Sequence, residues 1–80
     1  MKNRIKDLRI EHGIKQQELA DRVSVSSRTI ISLEKQQYNP SVLLAYRISS
    51  VFNLSIEEVF IFEEDDWSSY ANIISGKNWI

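Results

Sequence analysis

Between Gln16 and Glu34 the apolar positions fall into two short helical runs separated by a polar break. Leu19, Ala20 and Val23 keep one face of a first helix inward, over about 16–23. Ile30 and Leu33 do the same for a second, over about 27–35. Ser24, Val25 and Ser26 occupy the break, and the spacing predicts a tight turn with Val25 as its inward plug. Ser26 is placed to cap the second helix, because its hydroxyl can accept from a first-turn amide. Ser27, Arg28, Ile31 and Ser32 then share the outward face. Two short helices on a tight turn, with a polar outer face on the second, are what a DNA-reading helix-turn-helix requires.

The flanking pattern extends the helical reading. Ile5, Leu8 and His12 give the inward side of a helix over about 2–12, stopped by Gly13, which accepts positive φ. Asn39-Pro40 marks a loop, since a residue before proline avoids the helical region. Ser41 then opens a helix running to about Phe52, with Val42, Ala45, Ile48, Ser49 and Phe52 inward and Asn53 as a left-handed terminator. Ser55-Ile56-Glu57-Glu58 spells a capping box for a short fifth helix ending at Val59 and Phe60. Only Phe60-Ile61-Phe62 has any strand character, and it is too brief to decide. The fold expected is all-α, with five helices.

Beyond that point the character changes. Asp65 or Asp66 can cap a sixth helix ending at Gly76, with Trp67, Tyr70 and Ile74 on one stripe. Ile73, Trp79 and Ile80 add apolar surface, which is unfavourable in water at about 25 cal/mol per Å². The expectation is an ordered segment that packs. It either covers exposed Leu43, Leu44 or Tyr46 of the same chain or forms a dimer seam, and truncation after Phe62 then weakens dimerisation. The chain thus divides into a helical domain over 1–60 and an acidic, aromatic extension over 61–80.

Composition narrows the function classes. Eighty residues make one small core. Cysteine is missing and histidine occurs once, so neither disulfides nor a metal cluster is expected, and no cofactor is implied. No run approaches the roughly 18 apolar residues of a membrane span, and the start MKNRIKDL does not read as a signal peptide. A soluble cytoplasmic protein is expected, with no membrane partner. The net charge of -1 conceals a split. Residues 1–60 carry nine Lys and Arg against seven Asp and Glu, while residues 61–80 carry Lys77 against Glu63, Glu64, Asp65 and Asp66. A mildly basic body with an acidic end is compatible with DNA on one face. Catalysis has little support: the tail carboxylates are adjacent in sequence, His12 has no nucleophile near it, and no glycine-rich phosphate loop exists.

From Ile5 to Phe60 the chain resembles the Xre-like helix-turn-helix regulators, the group of the phage lambda-type repressors and Cro. The markers are Leu8-Arg9, Gly13, Gln16, Leu19-Ala20, Val25-Ser26, Thr29-Ile30, Leu33-Glu34, Pro40-Ser41 and the closing Leu54-Ser55-Ile56-Glu57-Glu58-Val59-Phe60. Ordered and spaced as in the family, they are specific together where each alone is weak.

The resemblance implies roles. Ser26, Ser27, Arg28 and Ser32 match the base-reading positions, and Arg28 is the strongest because a guanidinium pairs bidentately with guanine N7 and O6. Ile31 departs from the family's usual polar residue and either meets a thymine methyl or packs on the next helix. Gln16 matches a phosphate anchor at a helix N-terminus that can also brace the second helix of the motif. Lys35, Tyr38 and Asn39 match a phosphate-gripping loop. Arg9 and Glu34 match a structural ion pair joining the first and third helices. Ser24 stands where the family usually has glycine. The function implied is a sequence-specific transcriptional regulator, a repressor, that binds a palindromic operator in double-stranded DNA as a homodimer. The alternative is an antitoxin or interaction module whose tail binds a partner protein, with a helical domain that no longer binds DNA as a third reading.

Overall fold

The structure is a computed structural model, and it describes residues 1–63. Five helices follow one another: α1 (Ile5–Glu11), α2 (Gln16–Arg22), α3 (Ser27–Glu34), α4 (Val42–Val51) and α5 (Ile56–Val59). A two-residue strand lies at each end, β1 (Lys2–Asn3) and β2 (Phe60–Ile61). They pair antiparallel, Lys2 opposite Ile61 and Asn3 opposite Phe60.

Three of the five helices, α3, α4 and α5, start on a serine cap. Ser26 accepts from the Thr29 amide at 3.3 Å and Ser41 from the Leu44 amide at 3.1 Å. The Ser55 hydroxyl accepts from Glu58 N while Glu58 accepts from Ser55 N at 2.9 Å, closing the capping box. The Ser55 amide and then its hydroxyl, with Arg4 as a lesser cation, hold the Glu58 carboxyl below its ordinary range.

Helix ends share one device. After α1, α2, α3 and α4 stand Gly13, Ser24, Gln36 and Asn53, all with φ between 57° and 66°. The amide of the next residue then reaches five residues back: Ile14 to Arg9, Val25 to Ala20, Gln37 to Ser32 and Leu54 to Ser49. This is the Schellman closure, which satisfies carbonyls that a helix end leaves open. Ile14, Val25 and Leu54 tuck into or against the core just past these turns. Gln37, after α3, is exposed instead.

The core gathers Ile5, Leu8, Leu19, Val23, Ile30, Leu33, Ile48, Val59 and Phe60, each at most 3% exposed. Ala20, fully buried, lets α2 and α3 cross closely. Among the described residues Ser49 is the buried polar one, and its hydroxyl donates to the Ala45 carbonyl at 2.8 Å.

The expected elements need five corrections. The first helix begins at Ile5, not near residue 2, because Lys2 and Asn3 are drawn into strand pairing. The ambiguous Phe60-Ile61-Phe62 run resolves into β2 over Phe60–Ile61. Val42 is 79% exposed rather than inward, and Leu44 is buried rather than exposed. With Ser41 as cap, Val42 starts the helix on its outer side, and the inward stripe is Leu44, Ala45, Ile48 and Ser49, continued by the C-cap Phe52. His12 is exposed at the end of α1, where its ring meets Phe52 edge-on at 5.2 Å. The expected sixth helix and the packing of Trp67, Tyr70, Ile73, Ile74, Trp79 and Ile80 lie outside the described residues.

Candidate nucleic-acid interface

Three side chains from three elements meet behind α3. The Arg9 guanidinium, from α1, donates through Nε to Glu34 Oε2 at 2.8 Å and through Nη2 to Oε1 at 3.3 Å. Its Nη1 donates to the Ile14 carbonyl at 3.1 Å, so the fork is filled on both sides. Gln16, the first residue of α2, donates through Nε2 to Glu34 Oε1 at 3.1 Å. The side chains of Arg9 and Glu34 are 13% and 6% exposed, so the pair works largely away from water. It fixes the last turn of α3 to α1 and α2.

Gln16 is half-buried, and only one of its two amide protons is used by Glu34. A second proton and the amide oxygen remain to meet a group arriving from outside. The position therefore combines bracing of α3 with room for a phosphate contact.

The opposite side of α3 is presented outward. Arg28 is exposed in the first turn and has no hydrogen bond or ion pair among the described residues. A flexible cation without an internal partner is available to base edges or phosphates. Ser27, Ile31 and Ser32 are half-buried, so they offer part of their surface. Ser26 is exposed, but its hydroxyl is engaged by the Thr29 amide and faces Thr29 Oγ1 at 3.3 Å. Reading a base with Ser26 thus competes with capping α3.

The loop after α3 is exposed at Lys35, Gln36, Gln37, Tyr38 and Asn39. Lys35 caps the helix C-terminus, where a cation also complements the dipole. Asn39 Oδ1 accepts from the Met1 amino group at 3.4 Å. Because Gln37 replaces the apolar anchor found after the other helix ends, this loop turns outward rather than into the core.

Two participants carry no signal in the sequence pattern. Asn3 donates through Nδ2 to the Leu33 carbonyl at 2.8 Å, a contact between residues 30 apart in sequence. The Ile14 carbonyl is a backbone group, so no residue type announces it. Among the described residues no His, Asp and Glu cluster could hold a metal ion, and no helix is long and apolar enough to cross a membrane.

Comparison with known proteins identifies the family. A helix-turn-helix family model matches residues 5–59. A protein of Archaeoglobus fulgidus named as an HTH-type transcriptional regulator is 52% identical over 66 residues, 82% of this chain and 93% of its own length. Similarly named proteins of Methanocaldococcus jannaschii and Bacillus subtilis are 44% and 41% identical over 82% of this chain and the whole of theirs. Among solved structures, a chain of the SinR protein/SinI protein complex superposes with a TM-score of 0.67 at 23% identity, covering 96% of this chain and 79% of that one. That likeness concerns the fold alone. The chain belongs to the Xre-like, lambda-repressor-like helix-turn-helix family.

Proposed function

We propose that this protein is a sequence-specific transcriptional regulator, a repressor, that binds a palindromic operator in double-stranded DNA as a homodimer through α3. The observation that carries the reading is the two-sided character of α3. Its back is clamped by the Arg9–Glu34–Gln16 cluster, and its front offers Arg28, which has no partner among the described residues. A helix held this way enters a major groove without having to be ordered first. Arg28 then pairs with a guanine, Ser27 and Ser32 add short polar contacts, and Ser26 contributes only as far as its cap allows. Gln16, Lys35, Tyr38 and Asn39 meet phosphates, which position the helix without reading sequence.

A single motif reads few base pairs. Two copies set about 34 Å apart on one DNA face double the site, which is why a dimer is part of the proposal. An apolar groove of about 310 Å³, lined by Val42, Ala45, Ile56, Phe60 and Phe62 among others, supports a protein contact on the side of α4 and β2. In this reading residues 1–60 form the DNA-binding domain and residues 61–80 contribute to assembly, in the cytoplasm and without a cofactor. The groove also favours the second reading, in which a partner protein binds through the C-terminal extension and the protein acts as an antitoxin.

The test is selection of binding sites from random DNA, followed by salt titration on the winner. Enrichment of a two-fold sequence is expected. Arg28→Ala should then lower affinity by about 1–3 kcal/mol on that sequence and relax one position in each half-site. No enrichment, or equal loss on cognate and scrambled DNA, refutes base reading by Arg28.

A further inference from the structure

Asn3 stands where three parts of the molecule meet. Its backbone belongs to β1 and lies opposite Phe60 of β2. Its Oδ1 accepts from the Ile5 amide at 3.1 Å, which caps α1 from one residue before the helix's own N-cap, Arg4. Its Nδ2 donates to the Leu33 carbonyl at 2.8 Å, in the last turn of α3, and more weakly to the Met1 carbonyl at 3.4 Å. The Leu33 carbonyl already accepts from the Gln36 amide at 3.0 Å, so Asn3 supplies its second bond. The Leu33 carbonyl is therefore satisfied without Asn3, and the extra bond serves attachment rather than satisfaction.

We propose that Asn3 is a positioning residue for sequence reading: it ties the end of α3 to the β1–β2 ribbon and so fixes how α3 lies in the groove. The inference rests on the DNA-reading role of α3 given above. Glu34 and Leu33 are consecutive residues, held by different neighbours. Arg9 and Gln16 grip the Glu34 carboxylate from α1 and α2, while Asn3 grips the Leu33 carbonyl from the ribbon. Two attachments to one helix turn restrain rotation that a single attachment would allow. The Arg4 amide bond to the Val59 carbonyl at 2.8 Å and the Arg4 Nη1 bond to the Glu58 carbonyl at 3.0 Å lock the ribbon to α5. The pitch of α3 thus depends on the segment that follows α5, far from the groove.

Asparagine does two jobs here that substitution can separate. Asn3→Ser keeps a short acceptor for the Ile5 amide but lacks the reach and the donor for Leu33. Asn3→Asp keeps the acceptor and sets a second oxygen against the Leu33 carbonyl. Affinity for the selected site and for scrambled DNA is measured well below the melting temperature of each variant. The cognate-to-scrambled ratio should fall about three- to tenfold in Asn3→Ser, the scale of one neutral hydrogen bond, and at least as far in Asn3→Asp. A folded Asn3→Ser protein with an unchanged ratio overturns the proposal. If the wild type itself does not discriminate, the DNA-reading role fails instead. A further measurement needs no variant: the Asn3 side-chain amide protons should exchange slowly with solvent in the wild type. Free exchange there overturns the tie.

Discussion

Replacing Arg9 by alanine probes the cluster behind α3 most directly. The substitution removes the two donors to Glu34, at 2.8 and 3.3 Å, and the donor to the Ile14 carbonyl. What remains is a carboxylate whose side chain is 6% exposed, with Gln16 as its described partner. Stranding a buried charge of this kind costs about 3–5 kcal/mol. The surviving Gln16 bond and water entering the space left by Arg9 place the expectation at the lower end, about 3 kcal/mol. Small domains are stable by only about 5–15 kcal/mol, so this loss is large, and it corresponds to a fall in Tm of more than about 10 °C. Chemical denaturation of the wild type, Arg9→Ala, Glu34→Ala and the double variant closes a cycle. Once the carboxylate is gone, losing Arg9 should matter far less, giving a coupling of about 1.5–3 kcal/mol. A coupling below about 0.5 kcal/mol would place the pair with exposed ion pairs and refute the buried-clamp argument.

Gln16→Ala should weaken cognate and scrambled DNA by similar factors and leave the salt slope nearly unchanged, because a neutral group releases no counterion; a loss confined to one base pair would make it a reader. Ser24→Gly should raise stability by up to about 1 kcal/mol, since Ser24 sits at φ 61°, where glycine is free of Cβ strain; an unchanged or lower denaturation midpoint contradicts this. The Glu58 carboxyl, lowered by Ser55, should titrate below a glutamate in an unfolded peptide when followed by NMR. Its folded pKa is depressed, so the stability it adds is present above the ordinary glutamate range and fades as pH falls through the folded value. Ser55→Ala should move that titration only part of the way back up, because the amide at position 55 still donates to the carboxylate; no movement would leave the amide, and not the hydroxyl, as the cause.

The parts of this fold that were legible in the sequence are those encoded within four or five residues. Ser26, Ser41 and Ser55 each precede an apolar run and each caps a helix. Gly13, Ser24 and Asn53 mark three of the four left-handed helix ends. Gln36 marks the fourth without any such preference, so only the closure geometry reveals it. The strand pair was hidden because each strand has two residues and they come from opposite ends of the described chain. No local period can signal such a pairing. Val42 and Leu44 were exchanged because apolar residues occupy 42, 43, 44 and 45 without a break, and only the packed helix shows which of them turn inward. For the candidate interface, Arg9, Glu34 and Arg28 are readable as residue types in a family pattern. The engagement of Ser26 by its own cap and the reach of Asn3 to Leu33 depend on distances the pattern does not hold.

Clamping α3 from behind has a consequence for how such a protein can change. Glu34, Leu33 and Ile30 carry the attachment, while Ser27, Arg28 and Ser32 carry the outward chemistry, and the two sets share no residue. New residues at 27, 28 and 32 can therefore be tried one at a time without loosening the helix that displays them. Substitutions at the front should be tolerated because the rear keeps the molecule folded. A diversified library restricted to those three positions should retain folding in most members, so that under the proposed function a change of operator need not cost stability.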